Sequence, residues 1–200
     1  GRGAFNVPLG ETAALRLAFA HEQHDGYVGY QSPTRYTLAE QQAAWAAGGG
    51  AAADFRPINY NLFVQGGPKY SAQNQTAVRV SLKWQPVREV TWDVSYERFQ
   101  DRGTLPMSLM QEPRPGQPFW SALIDTAPYL HRDSDAVRSR LDWDLAGQMR
   151  FTYIAGYTKF FGASTYDQDL GVGTPTSFAT GATYQEDRTN WSRYRSHSHE

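Results

Sequence analysis

Thr76–Phe99 reads TAVRVSLKW, then QPVRE, then VTWDVSYERF, and this stretch decides the fold. In the first arm Val78, Val80, Leu82 and Trp84 alternate with Arg79, Ser81 and Lys83. In the second, Val90, Trp92, Val94 and Tyr96 alternate with Thr91, Asp93, Ser95 and Glu97. A strict period of two predicts two β-strands with one apolar face, joined by a short turn around Pro86. The other face carries charges of both signs.

Two further segments repeat the pattern. Leu15, Leu17 and Phe19 alternate with Arg16, Ala18 and Ala20 over Thr12 to Gln23, following a short extended piece with Phe5 and Val7 on one side and a tight turn at Pro8 to Glu11. Alanine and leucine would also suit a helix there, but the alternation is stricter than any three-four spacing, so strand is the preferred reading. Val137, Leu141 and Trp143 alternate with Arg138, Arg140, Asp142 and Asp144; Ala146, Gly147 and Gln148 turn the chain, and Phe151, Tyr153 and Tyr157 follow on the next strand. Another strand is expected from about Arg193.

Between these hairpins lie three long connections. The first, from Tyr30 to Gln75, contains a predicted helix over Thr37 to Ala47, stopped by Gly48, Gly49 and Gly50. The second, Asp101 to Asp135, holds Pro106, Pro113, Pro115, Pro118 and Pro128, which argues against a central strand or a long helix. The third, Phe161 to Asn190, is rich in Gly, Thr and Asp. Short turns and long connections alternate strictly, so all short turns fall at one end of an up-and-down antiparallel sheet and all long loops at the other.

Composition bounds the function. The chain has 200 residues, with 19 basic against 20 acidic side chains, a balance that argues against a nucleic-acid binder. Cysteine is absent, excluding disulfides, thiolate metal sites and a cysteine nucleophile. Aromatics make up 14%, which suits sheets, carbohydrate-binding surfaces or membrane-interface belts. No run approaches the roughly 18 apolar residues of a membrane helix, an absence that leaves a β-barrel open.

The loop asymmetry, the charged second face and the position of Trp84, Trp92, Trp143 and Phe151 near the tight turns together favour an outer-membrane barrel. In that reading Tyr27, Tyr96 and Tyr157 supply a second aromatic girdle. Arg16, Arg79, Lys83, Asp93, Glu97, Arg138, Arg140, Asp142, Asp144 and Arg150 then line a wet interior.

Gly1 to Gly29 (GRGAFNVPLGETAALRLAFAHEQHDGYVG), Ala77 to Gly103 (AVRVSLKWQPVREVTWDVSYERFQDRG) and Ser139 to Tyr157 (SRLDWDLAGQMRFTYIAGY) resemble strands of the TonB-dependent outer-membrane receptors of the iron-complex type. The final SHSHE resembles the start of a strand that often reads SHELR in that family. The resemblance implies that residues 1–200 are about seven strands of a 22-stranded transmembrane β-barrel, a piece of a longer protein whose plug domain and TonB-contacting segment are not seen. It also implies active uptake of a ferric siderophore or similar nutrient, with outer-membrane lipid, that ligand and the TonB–ExbB–ExbD complex as partners. A passive porin and a soluble β-rich carbohydrate-binding module are the alternatives. The module expects Trp84, Trp92 and Trp143 to face a sealed core.

Chemistry-bearing patterns are few. There is no nucleophile elbow, phosphate loop or dinucleotide fingerprint, and no catalytic residue, cofactor or metal site is expected. His131, Asp133 and Asp135 read as polar surface, His197 and His199 as strand decoration, and His21 and His24 likewise. Asp167 and Asp169 lack a full calcium-loop pattern. Asp142 and Asp144, with Arg138 and Arg140 on the same side, read as an ion-pair network rather than an acid–base pair. The candidates for ligand contact are the loop aromatics Tyr60, Phe63, Tyr70, Phe119, Trp120, Tyr129, Phe178 and Tyr184, half of which are expected to serve as loop anchors.

Overall fold

The computed structural model describes residues 1–32, 35–106, 118–167 and 187–199. Its strands are β1 (Arg2–Pro8), β2 (Ala13–His24), β3 (Gly29–Tyr30), β4 (Gln73–Val87), β5 (Val90–Asp101), β6 (Ser121–Ala122), β7 (Tyr129–Leu145), β8 (Met149–Asp167) and β9 (Asp187–His199). Seven of them form one antiparallel sheet in the order β1-β2-β4-β5-β7-β8-β9, and β3 pairs with β6 in a separate parallel pair. The sheet is therefore a meander in which each strand lies beside its nearest long neighbour in sequence.

The turn chemistry is local. Gly10 and Gly147 have positive φ, as does Gln148, and these residues reverse the chain at the β1–β2 and β7–β8 turns. The β4–β5 reversal falls at Arg88 and Glu89 rather than at Pro86. Pro86 sits instead where the ladder skips between Trp84 and Val87. A residue without an N–H is tolerated at such a bulge and not in a continuous ladder.

One α-helix is present among the described residues, besides two single 3-10 turns at Ala52–Asp54 and Tyr60–Leu62. It is α1 (Leu38–Ala47), capped by Thr37, whose hydroxyl accepts from the Glu40 N–H while the Glu40 carboxylate accepts from the Thr37 N–H. Gly48 ends it. Neither it nor any other described helical segment is long and apolar enough to cross a membrane.

The expected transmembrane barrel is corrected by the topology. The sheet is open: β1 and β9 form its two edges and do not pair with each other. Alternation belongs to any antiparallel sheet with two unlike faces, and an open meander can carry long loops at one end as well, whereas closure depends on strands meeting around a ring.

The charged face also has another resolution. Arg79 pairs with Glu97, Lys83 lies 3.7 Å from Asp93, Arg140 bonds Asp142 at 2.8 Å, and Arg150 bonds Asp144 at 2.5 Å. These are pairs on an open surface, so no enclosed wet lumen is needed to hydrate them. The network reading of Asp142 and Asp144 matches this geometry, although Arg138 reaches toward Glu97 at 3.9 Å instead.

Among the described residues, the buried apolar clusters sit at the loop end rather than on a face of the sheet. Val28, Tyr70, Ala122 and Ile124 form one buried cluster, and Ile58, Phe63 and Leu123 a second. Backbone bonds knit the connections together: Tyr27 N–H donates to Tyr70 O at 3.0 Å, Val64 N–H to Ile124 O at 2.9 Å, and Gln31 N–H to Ala122 O at 2.8 Å. The first two long connections, gathered at one end, thus have a structural reason, since they bury one another. Trp84, Trp92 and Trp143 remain 41%, 38% and 47% exposed, so the sealed core that the module alternative expects beneath them is not formed.

Candidate binding surface at the loop end

Among the described residues, two connections build this end of the molecule. Gly26 lies so close to the chain at Lys69 and Tyr70 that a Cβ there would overlap their backbone, which makes glycine the residue that lets the two segments touch. Tyr70 is 1% exposed, and its hydroxyl accepts from the Asp167 N–H at 3.3 Å, joining the first connection to the end of β8. The Tyr30 hydroxyl donates to Pro68 O, and burial pushes that phenol above its ordinary pKa. Buried Gln41 ties α1 down: its Nε2 donates to Tyr36 O and its Oε1 accepts from the Ile58 N–H.

On this base stands an exposed aromatic pair. Phe119 and Trp120 are 59% and 60% exposed, with ring centroids 5.0 Å apart and planes at 86°. Their turn is closed by Ser121 Oγ donating to Pro118 O at 2.6 Å, and Trp120 O accepts from the Gly29 N–H at 3.0 Å. The next residues, Ser121 to Ile124, are buried. An edge-to-face pair on an anchored turn presents apolar ring faces to solvent with little freedom to lose on binding.

The loop aromatics divide by burial. Phe63 and Tyr70 are inside the two clusters, and Tyr60 packs against the second, with the Arg35 guanidinium 5.3 Å from its ring centre. Phe119, Trp120 and Tyr129 are exposed. Phe178 and Tyr184 lie outside the described residues. Tyr27, first read as part of a girdle, is exposed at the same end and stacks on His24 at 5.3 Å.

The polar candidates are engaged with neighbouring side chains. Asp133 is bonded by Arg102 at 2.7 Å and Gln100 at 3.1 Å, with His131 at 3.4 Å. Burial raises the Asp133 carboxyl, but the bonds from Arg102 and Gln100 outweigh it and hold the group below the ordinary range. Asp135 accepts from Tyr96 at 2.6 Å and Arg98 at 3.0 Å. His197 and His199 pack on Tyr157 and Tyr153, and His21 contacts Thr76 at 2.9 Å. Asp167 is buried and accepts from the Asp125 N–H; Asp169 lies outside the described residues. No group of three potential metal ligands occurs among the described residues.

Sequence reading missed the polar pocket beside this surface. It is a cavity of about 420 Å³ lined by His24, Gln73, Gln75, Asp101, Thr104 and Arg132, among others. No sequence period marks Arg132 as strand; only the β5–β7 register, which places it opposite Asp101, brings the pair together.

The fold and this surface define an open antiparallel β-meander capped by packed loops. No family model, curated protein or solved structure matches the chain. The resemblance to TonB-dependent receptors is corrected accordingly, having neither a family match nor a closed barrel to support it. The siderophore-uptake function, the partners drawn from it (outer-membrane lipid, a ferric siderophore and the TonB–ExbB–ExbD complex) and the outer-membrane location all rested on that reading and are withdrawn with it.

Proposed function

We propose that the chain is a β-rich carbohydrate-binding module that acts by binding rather than by catalysis, with its core in the loop cap instead of beneath the sheet tryptophans. The observation that carries this is the exposed Phe119–Trp120 pair on its anchored turn. One face of a pyranose ring is largely C–H and stacks on an aromatic face, while its hydroxyls stay hydrated at the rim or meet nearby polar groups. Tyr27 and Tyr129 offer further exposed rings, each with a hydroxyl, at the loop end. Phe63 and Tyr70 support the platform from inside the loop clusters.

Affinity electrophoresis through gels containing neutral or acidic polysaccharides tests the reading. The expected result is retardation of the wild-type protein by at least one glycan, lost in Trp120→Ala and weakened in Phe119→Ala, with both variants keeping the wild-type circular dichroism. Retardation that survives in Trp120→Ala, or none for the wild type on any glycan, overturns it.

A further inference from the structure

The charged face of the sheet contains a groove of about 580 Å³, remote in sequence from the loop surface. Its floor follows one register row. Arg16 on β2 faces Ser81 on β4, Ser81 faces Ser95 on β5, and Ser95 faces Arg138 on β7. Two guanidinium-bearing arms therefore flank a floor of two hydroxyls, three strand spacings apart, or roughly 14 Å between backbones. The next row adds Lys83 and Arg140, with Asp93 between them.

The charges here do not cancel. Asp93 lies 3.7 Å from Lys83, and Asp142 is bonded to Arg140 at 2.8 Å. Glu97 is shared, paired with Arg79 and 3.9 Å from Arg138. Arg16 hydrogen-bonds the neutral Asn6 Oδ1 at 3.1 Å, and no carboxylate lies within ion-pair distance of it among the described residues. Five cations (Arg16, Arg79, Lys83, Arg138 and Arg140) thus face three carboxylates (Asp93, Glu97 and Asp142), an excess of two positive charges in a chain whose formal net charge is −1. A groove with this local surplus attracts anions against the sign of the whole molecule. Guanidinium groups match carboxylate and sulfate oxygens in pairs.

The geometry points to this groove as a subsite for an acidic sugar, with the carboxylate of a uronate or the sulfate of a sulfated residue held between Arg16 and Arg138 over the Ser81 and Ser95 hydroxyls. The assignment rests on the carbohydrate reading above and names the glycan class. The groove can hold more than one ring, so an oligosaccharide rather than a monosaccharide is its expected occupant.

Calorimetry with two matched probe pairs tests it. The first pair is hexagalacturonate and its fully methyl-esterified form; the second is a chondroitin sulfate hexasaccharide and its desulfated form. The expected result is at least tenfold tighter binding of the charged member of one pair, the pair identifying carboxylate or sulfate. That preference should fall severalfold in Arg16→Gln, should vanish in Arg16→Gln/Arg138→Gln, and should weaken between 50 and 300 mM salt (about a sixfold range). Arg16 forms no ion pair here, so the single variant reads the site without breaking the network. Equal binding of charged and uncharged members, with Trp120→Ala still abolishing it, overturns the acidic-sugar subsite and leaves the loop-end reading standing. Binding of no probe by the wild type overturns the subsite, while the polysaccharide gels decide the loop-end reading separately. A preference unchanged in the double variant also overturns it.

Discussion

Asp101 on β5 and Arg132 on β7 stand directly opposite each other and close an ion pair at 2.7 Å, the carboxylate 3% exposed and the guanidinium 42%. The same carboxylate accepts from Gln75 Nε2 and from the Gly103 N–H, each at 3.0 Å. It therefore fixes the point where β5 leaves the sheet and enters the loop cap. Asp101→Asn keeps the shape but removes the charge from three donors. The expected cost is about 1–3 kcal/mol, read from urea unfolding, with the half-exposed arginine limiting the penalty through its access to water.

Ile124, on the second connection, is fully buried, and Gly26 is where the two ends of the first connection touch. Ile124→Ala should cost about 2–5 kcal/mol by opening a cavity in the cluster. Gly26→Ala should destabilise the cap by forcing Lys69 and Tyr70 away. Hydrogen exchange should show both losses first at the amides of Tyr27, Val64 and Tyr70, while the β4–β5 ladder stays protected.

The exposed tryptophan pair gives the opposite expectation. Trp84 and Trp92 face each other with ring centres 6.3 Å apart, and Trp92 Nε1 donates to Ser139 Oγ at 2.8 Å. Because both rings remain open to solvent, Trp92→Phe should cost no more than about 1 kcal/mol, the scale of a cross-strand pair. Near-ultraviolet circular dichroism should lose the signal of the coupled indoles. A loss of several kcal/mol would place these side chains in a sealed core after all.

Acidification should weaken the fold through specific carboxylates. Arg140 and Thr152 hydrogen bonds hold Asp142 below the ordinary range, and Asp133 is lowered on balance by Arg102 and Gln100. A carboxyl with a depressed folded pKa contributes stability that is complete above the unfolded value of about 4 and is lost as pH falls through the folded one. Melting temperature should therefore be flat above about pH 5 and decline below about pH 4. Asp133→Asn should lower stability at neutral pH and make the acid decline shallower.

The strands nearest the tight turns were readable because their apolar faces are continuous: Val80, Leu82 and Trp84 meet Tyr96, Val94 and Trp92 in register. The helix was readable from its cap and its glycines. Toward the loops the same strand faces change character, since Arg98 stands opposite Asp135 and Gln100 opposite Asp133. Ion pairs there replace apolar contacts, the period-two signal fades, and the first eight residues of β7, Tyr129–Ala136, looked like loop. The β3–β6 pair spans two residues on each side and is too short to leave a period. Burial of Phe63 and Tyr70 beside exposure of Phe119 and Trp120 follows from tertiary packing, which residue type alone does not encode. Closure was overread because local alternation says nothing of whether the first and last strands meet.

The meander has a mechanical consequence. Each long strand makes its main contacts only with its neighbours in the sheet, so a load applied at β1 and β9 peels ladders from the edges one at a time. The β3–β6 pair and the cluster around Val28, Tyr70 and Ile124 instead bind segments far apart along the chain. That clasp bears force in parallel with several ladders, holding the inner strands as one block. Pulled from its ends, the molecule should first yield hairpin by hairpin and then resist in a single step when the clasp gives way.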